Sequence, residues 1–337
     1  MNQYKVLLIG LGKMGFKYMQ DKEISKTVKF SNHTQVINNH ESFSLFGAVD
    51  SLEENLNLFS KTFNLKNITT DIRYLNNLDL VDVLVLATPP KDRYKFLEFL
   101  PNLKALIVEK PLGSNLKESK KLIDTCSARK IITQVNFNRR TDSVMQELAR
   151  GDLKRKIGFI QCGFGVYGHG ILNYASHTID LVRMLVGEIT RVQSLSSPDY
   201  GRKGPISDDL NIPFVLYVDQ KPFSFSPIDF SSYREGSLDI WGTKGRIEFL
   251  QEGLNYKFTE KFPCRSLSEF SELNSECTKI FETGYGDSMY YLYDEVAKKL
   301  KDSSKALSSP ASSAFVNEEI IDSLKKSYAN RGDIVKI

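Results

Sequence analysis

The stretch "YKVLLIGLGKMG", residues 4–15, decides the fold. An apolar run of strand length leads directly into Gly10, Gly12 and Gly15. Gly10 permits a tight turn, Gly12 lets the backbone approach a pyrophosphate, and Gly15 allows a helix to pack on the strand. The triplet favours a dinucleotide-binding turn at the head of a helix. A plain turn is the alternative, and the surrounding sequence has to decide between them.

Further apolar runs of strand length follow at residues 43–50, 81–90 and 104–111. Amphipathic stretches lie between them, and strand and helix in alternation indicate a parallel, doubly wound sheet. The helix after Gly113 carries its own start signal, because Asn115 precedes it and Glu118 stands three residues later. We therefore expect an N-terminal Rossmann domain over residues 1–125.

The second apolar run ends in an acid. Asp50 closes "LFGAVD", where a carboxylate can accept hydrogen bonds from both adenosine ribose hydroxyls, and Ser51 follows where an arginine would favour a 2′-phosphate. NAD is the expected cofactor rather than NADP. Asp50 lies well beyond the usual spacing of about 20 residues from the glycines, so residues 21–42 are expected to form an inserted loop or extra helical turn. A solvated strand-end carboxylate is the alternative interpretation.

The pattern changes from about residue 155. In "LNIPFVLYVD" (210–219) apolar residues recur at every second position, and "SLDIWGTKGRIEFL" (237–250) alternates similarly on either side of a turn. The sequence therefore indicates a C-terminal α+β domain with a largely antiparallel sheet over residues 126–310. A C-terminal helix and tail, residues 311–337, are expected to pack back on the Rossmann domain.

Composition narrows the functional classes. The chain has 337 residues, and its 45 Lys and Arg are scattered among 41 Asp and Glu, so nucleic-acid binding is not indicated. Its four cysteines form no CxxC pair, which points to neither a metal site nor a disulfide framework and favours a reducing cytoplasm. No run of about 18 apolar residues suggests a membrane anchor.

Two segments, "ATPP" (87–90) and "VEKPLG" (108–113), resemble the glucose-fructose oxidoreductase and inositol dehydrogenase (Gfo/Idh/MocA) family. Later segments agree in the expected order, so the resemblance spans nearly the whole chain: "NFNRR" (136–140), "GHGILNYASHTIDLVRMLVGEI" (168–189) and "DIWGTKGRIEFL" (239–250). The resemblance implies a Rossmann domain and hydride exchange with a sugar or cyclitol hydroxyl. It also implies that the domain over residues 126–310 has an open, mixed sheet, binds substrate and often mediates oligomerisation into a homodimer or homotetramer.

By position, the resemblance makes Lys110 the active-site lysine, close to both the nicotinamide ribose and the substrate. An ammonium group stabilises the alkoxide that develops when a secondary alcohol loses its proton. Glu109 would pair with a cation or bind cofactor, and the bond before Pro111 would be cis as in relatives. A solvated charge pair at a strand end is the alternative. The expected cofactor-binding residues are Gly10, Gly12, Lys13, Met14, Gly15, Asp50, Thr88, Pro89, Glu109 and Lys110.

His177 is the candidate general base. On a helix, Asn173, His177 and Asp180 share one face, and an imidazole titrating near pH 6.5 can take the hydroxyl proton as hydride leaves. The family commonly has Asp where this chain has Asn173, so the imidazolium loses a supporting charge unless Asp180 or a more distant carboxylate supplies one. A histidine satisfied by core neighbours is the alternative, and Lys110 and Tyr174 are the other candidate proton carriers.

Arginines near the strand ends are candidate ligand contacts. Arg93 stands where relatives often have His, and we expect a solvated helix residue there rather than a cofactor or substrate contact. The region of Asn138 and Arg139 positions substrate in relatives, and arginine suits phosphate or carboxylate. The expected substrate-binding set is Lys110, Asn138, Arg139, Asn173 and His177, with Lys110, His177 and Asn173 catalytic.

The sequence therefore predicts an NAD-dependent oxidoreductase acting on a secondary hydroxyl or ketone of a sugar, nucleotide sugar or cyclitol. Two alternatives stay open. One is an enzyme of isomerase, lyase or glycosidase type that retains NAD and shows no net redox change. The other is a non-catalytic homologue that binds nucleotide.

Overall fold

The computed structural model describes residues 3–195, 204–206 and 209–337. The chain divides into two compact units: Met1–Thr141 with Tyr285–Phe315, and Asp142–Gly284 with Val316–Ile337. The first unit continues past residue 125, because a sixth strand and a later helix complete its layers. The tail from residue 311 onward is shared between the two units.

The first unit is built on a six-stranded sheet with the order β3-β2-β1-β4-β5-β6, and all neighbours are parallel. Its strands are β1 (Tyr4–Ile9), β2 (Phe43–Val49), β3 (Ile68–Thr69), β4 (Val83–Leu86), β5 (Ala105–Val108) and β6 (Ile132–Val135). The expected doubly wound Rossmann sheet is thus confirmed. The strand order reverses between β1 and β4, and in such sheets ligands bind at the C-terminal ends of the strands beside that point.

Both faces of this sheet are covered. Alternate residues of the central strands enter two different apolar clusters: Val83 and Val85 face one side, and Leu84 and Leu86 face the other. The covering helices are α1 (His33–Asn39), α2 (Glu53–Thr62), α3 (Leu116–Ala128) and α7 (Tyr285–Lys301). Such two-sided burial explains why the strands are almost continuously apolar.

The expected start of α3 is confirmed. The Asn115 side chain accepts a hydrogen bond from the Glu118 N–H at 3.1 Å, which satisfies one of the four amide donors that a helix start leaves unpaired.

The segment after the glycine turn departs from the usual pattern. A regular helix was expected directly after Gly15, but two short 3-10 segments, Lys17–Gln20 and Ile24–Lys26, precede α1. The stretch of residues 21–42, expected to form an inserted loop or extra helical turn, contains one of these 3-10 segments and α1. Its helix returns to the turn, because the His33 N–H donates to Met14 O at 2.8 Å.

The second unit carries a ten-stranded sheet ordered β14-β13-β12-β11-β7-β10-β9-β8-β16, with β15 paired to β13. The strands are β7 (Ile160–Tyr167), β8 (Arg191–Ser194), β9 (Phe214–Val218), β10 (Lys221–Pro227), β11 (Ser237–Gly242), β12 (Gly245–Leu250), β13 (Asn255–Pro263), β14 (Ser271–Leu273), β15 (Lys279–Glu282) and β16 (Val335–Lys336). Within the described strands of this second sheet, only the pairing of β7 with β10 is parallel, so the expected mixed, largely antiparallel sheet is confirmed.

One face of this sheet forms the core of the second unit. Ile240, Ile247 and Phe249 point into a cluster that also takes Ile179 and Val182 from a helix. The helices are α4 (Ser143–Glu147), α5 (Leu153–Ile157), α6 (Ser176–Leu185) and α8 (Ala311–Ala329), the last of which begins within the first unit. Among the described residues, no helix combines the length and apolarity needed to cross a membrane.

Candidate active site

In the glycine turn, a side chain would have room at Gly12 but not at Gly10 or Gly15. Gly10 has φ +97°, and a Cβ there would lie 2.6 Å from Ala87 O. A Cβ on Gly15 would lie 1.9 Å from Gly10 O, so both positions exclude larger residues. At Gly12, apart from the glycine itself and its two neighbours in the chain, no heavy atom of the described residues lies within 4 Å of such a Cβ. This is the arrangement that lets the backbone at Gly12 approach a pyrophosphate.

Asp50 is joined directly to this turn. Its carboxylate accepts the Leu11 N–H at 2.6 Å and the Leu52 N–H at 2.9 Å, and the residue is only 8% exposed. A carboxylate has about four acceptor positions, so two stay available for ribose hydroxyls. Glu53 and Glu54 follow in the first turn of α2 and add negative charge beside it.

The hydroxyl of Thr88 supports the same site. Thr88 follows β4, and its backbone N would lie 2.9 Å from a Cβ on Gly10. Its Oγ1 is buried and has no hydrogen-bond partner within the described ranges. An orphaned buried hydroxyl beside an open glycine turn fits a polar ligand, and the residues present therefore fit a dinucleotide.

Arg93 is buried, contrary to the expectation from the sequence. It was expected to be solvated, but it is 2% exposed and its guanidinium donates to the carbonyls of Thr88, Glu109 and Pro111. These carbonyls lie in the loops after two neighbouring strands, where no described strand supplies a hydrogen-bond donor for them. A guanidinium is planar and has five N–H donors, so it can bind several carbonyls at once. Arg93 thereby ties the segment after β4 to the segment after β5.

Glu109 and Lys110 follow β5, and the Lys110–Pro111 bond is cis as expected. Glu109 is 8% exposed and accepts from Asn136 Nδ2 at 2.6 Å, while its Oε1 lies 3.2 Å from His33 Nε2. Burial acts to raise the pKa of Glu109, but the bonds from His33 and Asn136 and the charge of Lys110 outweigh it and hold the pKa below its usual value. Lys110 itself is half-buried.

His33 and Asn136, the two partners of Glu109, were not among the site residues expected from the sequence. His33 is the more distant of the two. It lies in the insertion, far along the chain from Glu109, and its side chain is fully buried. The available signal was the placement of one of only four histidines directly after Asn32, a residue suited to begin a helix. The Asn32 side chain does cap α1, accepting from the Gln35 N–H at 3.0 Å.

The strand that follows contributes two further candidates. Asn138 and Arg139 lie in a 3-10 segment after β6. Arg139 is 8% exposed, and its guanidinium carbon lies 4.9 Å from the centre of the Tyr285 ring. The structure thus gathers the expected residues of the first unit at the C-terminal edge of its sheet: Gly10, Gly12, Lys13, Met14, Gly15, Asp50, Thr88, Pro89, Glu109, Lys110, Asn138 and Arg139.

Asn173 and His177 belong to the second unit, and both are half-buried. A π-helical turn, Ile171–Ala175, carries Asn173 and leads into α6, which carries His177. Asp209 caps this turn, since its carboxylate accepts the N–H groups of Leu172 at 2.9 Å and Asn173 at 2.8 Å. Burial raises the pKa of Asp209.

Asp180 holds α6 to α8. It is 3% exposed, and its Oδ1 accepts from Asn317 Nδ2 at 2.7 Å. Asn317 Oδ1 in turn accepts from Arg183 at 2.9 Å. These bonds give Asp180 a structural role that its position on the same predicted face as His177 did not reveal.

Models of one protein family match most of the chain. Residues 4–137 match a family described as "Oxidoreductase family, NAD-binding Rossmann fold", and residues 165–337 match "Oxidoreductase family, C-terminal alpha/beta domain". No curated protein sequence matches the chain.

Solved structures share the fold over their whole length. A levoglucosan dehydrogenase in complex with NADH and levoglucosan is 18% identical, with 100% of both chains covered and a TM-score of 0.74. An oxidoreductase from Agrobacterium radiobacter in complex with NAD+, L-tartaric acid and magnesium is 15% identical over 99% of this chain and 98% of that chain, with a TM-score of 0.71. A super-repressor mutant of Gal80p from Saccharomyces cerevisiae is 14% identical over 99% and 98%, with a TM-score of 0.73.

Proposed function

Since the chain belongs to the Gfo/Idh/MocA family of oxidoreductases, with its NAD-binding Rossmann fold, we propose that it transfers hydride between NAD and a secondary hydroxyl or ketone of a sugar, nucleotide sugar or cyclitol. One observation carries the proposal. The turn with open space at Gly12 is hydrogen-bonded through Leu11 to Asp50, and Lys110 follows β5 at the same sheet edge. A dinucleotide site and a cation suited to an alkoxide thus share one edge.

Three residues would hold the dinucleotide. The backbone at Gly12 would lie close to the pyrophosphate, the Asp50 carboxylate would accept hydrogen bonds from ribose hydroxyls, and the Thr88 hydroxyl would offer a further hydrogen bond. When bound, NAD supplies the nicotinamide carbon that accepts or donates hydride. Lys110 orients the substrate oxygen and stabilises the negative charge that develops on it as its proton leaves. Arg93 keeps the backbone on both sides of Lys110 in place by binding the Glu109 and Pro111 carbonyls.

His177 takes the hydroxyl proton during oxidation and returns it during reduction. Asn173 contributes an amide rather than a charge, so its proposed role is to orient the substrate or the imidazole ring. The substrate class is supported by the levoglucosan bound in one structural neighbour and the tartaric acid bound in another, both of which carry secondary hydroxyl groups.

The test is nicotinamide reduction, followed by near-ultraviolet absorbance, with NAD and a panel of cyclitols, free sugars and nucleotide sugars. We expect turnover with at least one polyol. A response confined to nucleotide sugars would place Arg139 near a phosphate, since a guanidinium binds phosphate oxygens in pairs. Bound NADH without turnover on any polyol would contradict the proposal.

Of the two alternatives, one has specific support. Asn173 in place of the family's acid, together with the likeness to Gal80p, favours a nucleotide-binding homologue without catalysis. An enzyme that retains NAD through its cycle would carry nicotinamide absorbance through purification and would convert substrate without net reduction of added NAD. The absorbance spectrum of the freshly purified protein separates this reaction from the proposed one.

The preference for NAD over NADP is a separate prediction. Asp50→Asn should weaken NAD binding about 10- to 100-fold, because bonds from ribose hydroxyls to a charged acceptor are lost, and should narrow the discrimination against NADP. Asp82→Asn is the matched control, since Asp82 also accepts a backbone N–H, that of Lys5 at 2.9 Å, but precedes β4 at the opposite sheet edge. Unchanged NAD affinity in Asp50→Asn, by titration calorimetry, would remove Asp50 from the site.

The open face of the second unit's sheet is the proposed homo-oligomer contact. Phe164 on β7 is 43% exposed there, beside Asp239 on β11, and Arg246 stacks on Trp241 at 4.6 Å. Phe164→Asp should shift the mass measured by light scattering from a dimer or tetramer to a monomer. Tyr74→Asp, an aromatic change at a 73% exposed site in the first unit, should leave the mass unchanged. A monomeric wild type would contradict this assignment.

A further inference from the structure

Buried hydrogen bonds continue beyond Glu109 into the interior of the first unit. His33, which lies 3.2 Å from Glu109 through Nε2, also lies 2.7 Å from the Tyr293 hydroxyl through Nδ1. His33 and Tyr293 have no exposed surface, and Asn136, the other partner of Glu109, is 3% exposed. The four residues come from α1, α7 and the ends of β5 and β6. Distant segments of the chain thus converge on the carboxylate next to Lys110.

Glu109 sets the direction of these bonds. A carboxylate only accepts, so His33 Nε2 carries the hydrogen of that bond. Burial raises the pKa of Tyr293 well above its usual value, which keeps the phenol protonated. The phenol can therefore donate to Nδ1 of the same tautomer. In this arrangement Tyr293 donates to His33 Nδ1 and His33 Nε2 donates to Glu109, so both ring nitrogens have a hydrogen-bond partner.

The backbone of His33 is attached to the glycine turn. Its N–H donates to Met14 O at 2.8 Å, and the next residue, Thr34, donates its N–H at 3.1 Å and its hydroxyl at 2.6 Å to Gly15 O. The residue whose ring holds Glu109 therefore begins the helix that holds the pyrophosphate turn. His33 links two parts of the proposed cofactor site without any surface of its own for a ligand to contact.

We propose that His33 is a positioning residue that fixes Glu109, and with it Lys110, relative to the glycine turn, so that binding of the dinucleotide and placement of the lysine are coupled. This inference rests on the proposed function, which gives the turn a dinucleotide and Lys110 a reaction to serve. Without the ring, a buried carboxylate loses a donor, and the segment from Glu109 to Pro111 loses its connection through α1 to Gly15. The effect reaches a ligand that His33 cannot touch.

Four variants distinguish the hydrogen-bonding role of His33 from a role in filling space. His33→Gln places an N–H donor at the ε position and can still reach Glu109, whereas His33→Asn ends one bond earlier and His33→Leu keeps volume alone. Tyr293→Phe removes only the hydroxyl. We expect the NADH dissociation constant, measured by nicotinamide fluorescence, to rise about ten-fold or more in the Leu and Asn variants, and to stay within about three-fold in the Gln and Phe variants.

His40→Gln is the matched control. His40 is a second buried histidine, 3% exposed, at the other end of the same helix, and its ring packs on Phe43 and Tyr290 rather than on the Glu109 network. We expect its NADH affinity to stay within about two-fold of the wild type. Circular dichroism and thermal unfolding establish that each variant is folded, and if His33→Leu does not fold, the Gln, Asn and Phe variants decide the question.

A spectroscopic readout distinguishes coupling from a structural role. The chain has four histidines, so ¹⁵N-labelled imidazole gives a small set of ring signals that His33→Gln and His40→Gln assign. Addition of NADH to the wild type should shift the His33 ring nitrogens and leave those of His40 in place.

The inference is overturned if the Leu and Asn variants bind NADH as tightly as the wild type, or if the His33 signals do not move on binding. Equal weakening of the Gln and Asn variants would also overturn it, because the contact to Glu109 would then not be the relevant one. A wild type that binds no NADH overturns the proposed function and this inference together, and it is recognised before any variant is made.

Discussion

Replacing Lys110 with methionine should lower kcat about 10³-fold while leaving NADH affinity within a few-fold of the wild type. Methionine keeps much of the apolar stem but removes the ammonium that stabilises the developing alkoxide. NADH binding should persist because the glycine turn and Asp50, which do not depend on this charge, hold most of the dinucleotide. Steady-state kinetics and a fluorescence titration on the same preparation give the two quantities.

Lys104→Met is the matched control, because Lys104 precedes β5 and Lys110 follows it. Lys104 is an exposed lysine that pairs with Asp82 at 2.7 Å, and ion pairs of that kind contribute little to stability. Its kcat should stay within about two-fold of the wild type. Parallel losses of kcat and NADH affinity in Lys110→Met would instead assign Lys110 to cofactor binding, and an unchanged kcat would remove it from the reaction.

Removal of the imidazole in His177→Ala should lower kcat about 10²- to 10⁴-fold, the range expected for loss of a general acid–base group. Added imidazole should restore part of the activity, since a small base can enter the space that the side chain leaves. NADH affinity should not change, because none of the groups proposed to hold the dinucleotide lies on α6. The measurement is kcat as a function of imidazole concentration at constant pH.

Asn173→Asp provides the companion variant. A carboxylate there restores the family's common residue and should favour the imidazolium, which raises kcat/KM about three-fold or more when His177 is present. In the His177→Ala background the same change should have no effect, so the two substitutions should be non-additive. Full activity in His177→Ala without imidazole would contradict the assignment and favour Lys110 as proton carrier.

The parts of the site that follow strands could be predicted from the sequence. A glycine triplet after one apolar run and an acid after the next have a local physical reason, and the structure joins them through the Leu11 N–H on Asp50. The start of α3 was predictable on the same grounds, because the Asn115 cap involves residues only three positions apart. Signals of this kind lie within one segment and depend on backbone chemistry.

Contacts between distant segments were not predictable in this way. Arg93 resembles a solvated helix residue because its neighbours are polar, yet its guanidinium donates to the Thr88 carbonyl of its own segment and to the Glu109 and Pro111 carbonyls of the loop after β5. His33 and Tyr293 stand 260 positions apart and meet only because α1 and α7 pack on the same sheet face. Asp180 shared a predicted face with His177, and the partner that binds it, Asn317, comes from α8.

The most direct test of the proposed hydride transfer is deuterium transfer from [4-²H]NADH to a panel of sugar and cyclitol ketones, followed by mass spectrometry of the product alcohol. The result we predict is one deuterium on the carbinol carbon, from one face of the nicotinamide only, and almost none with Lys110→Met. A product alcohol without deuterium, or bound NADH with no product from any ketone, would contradict hydride transfer as the function of this chain.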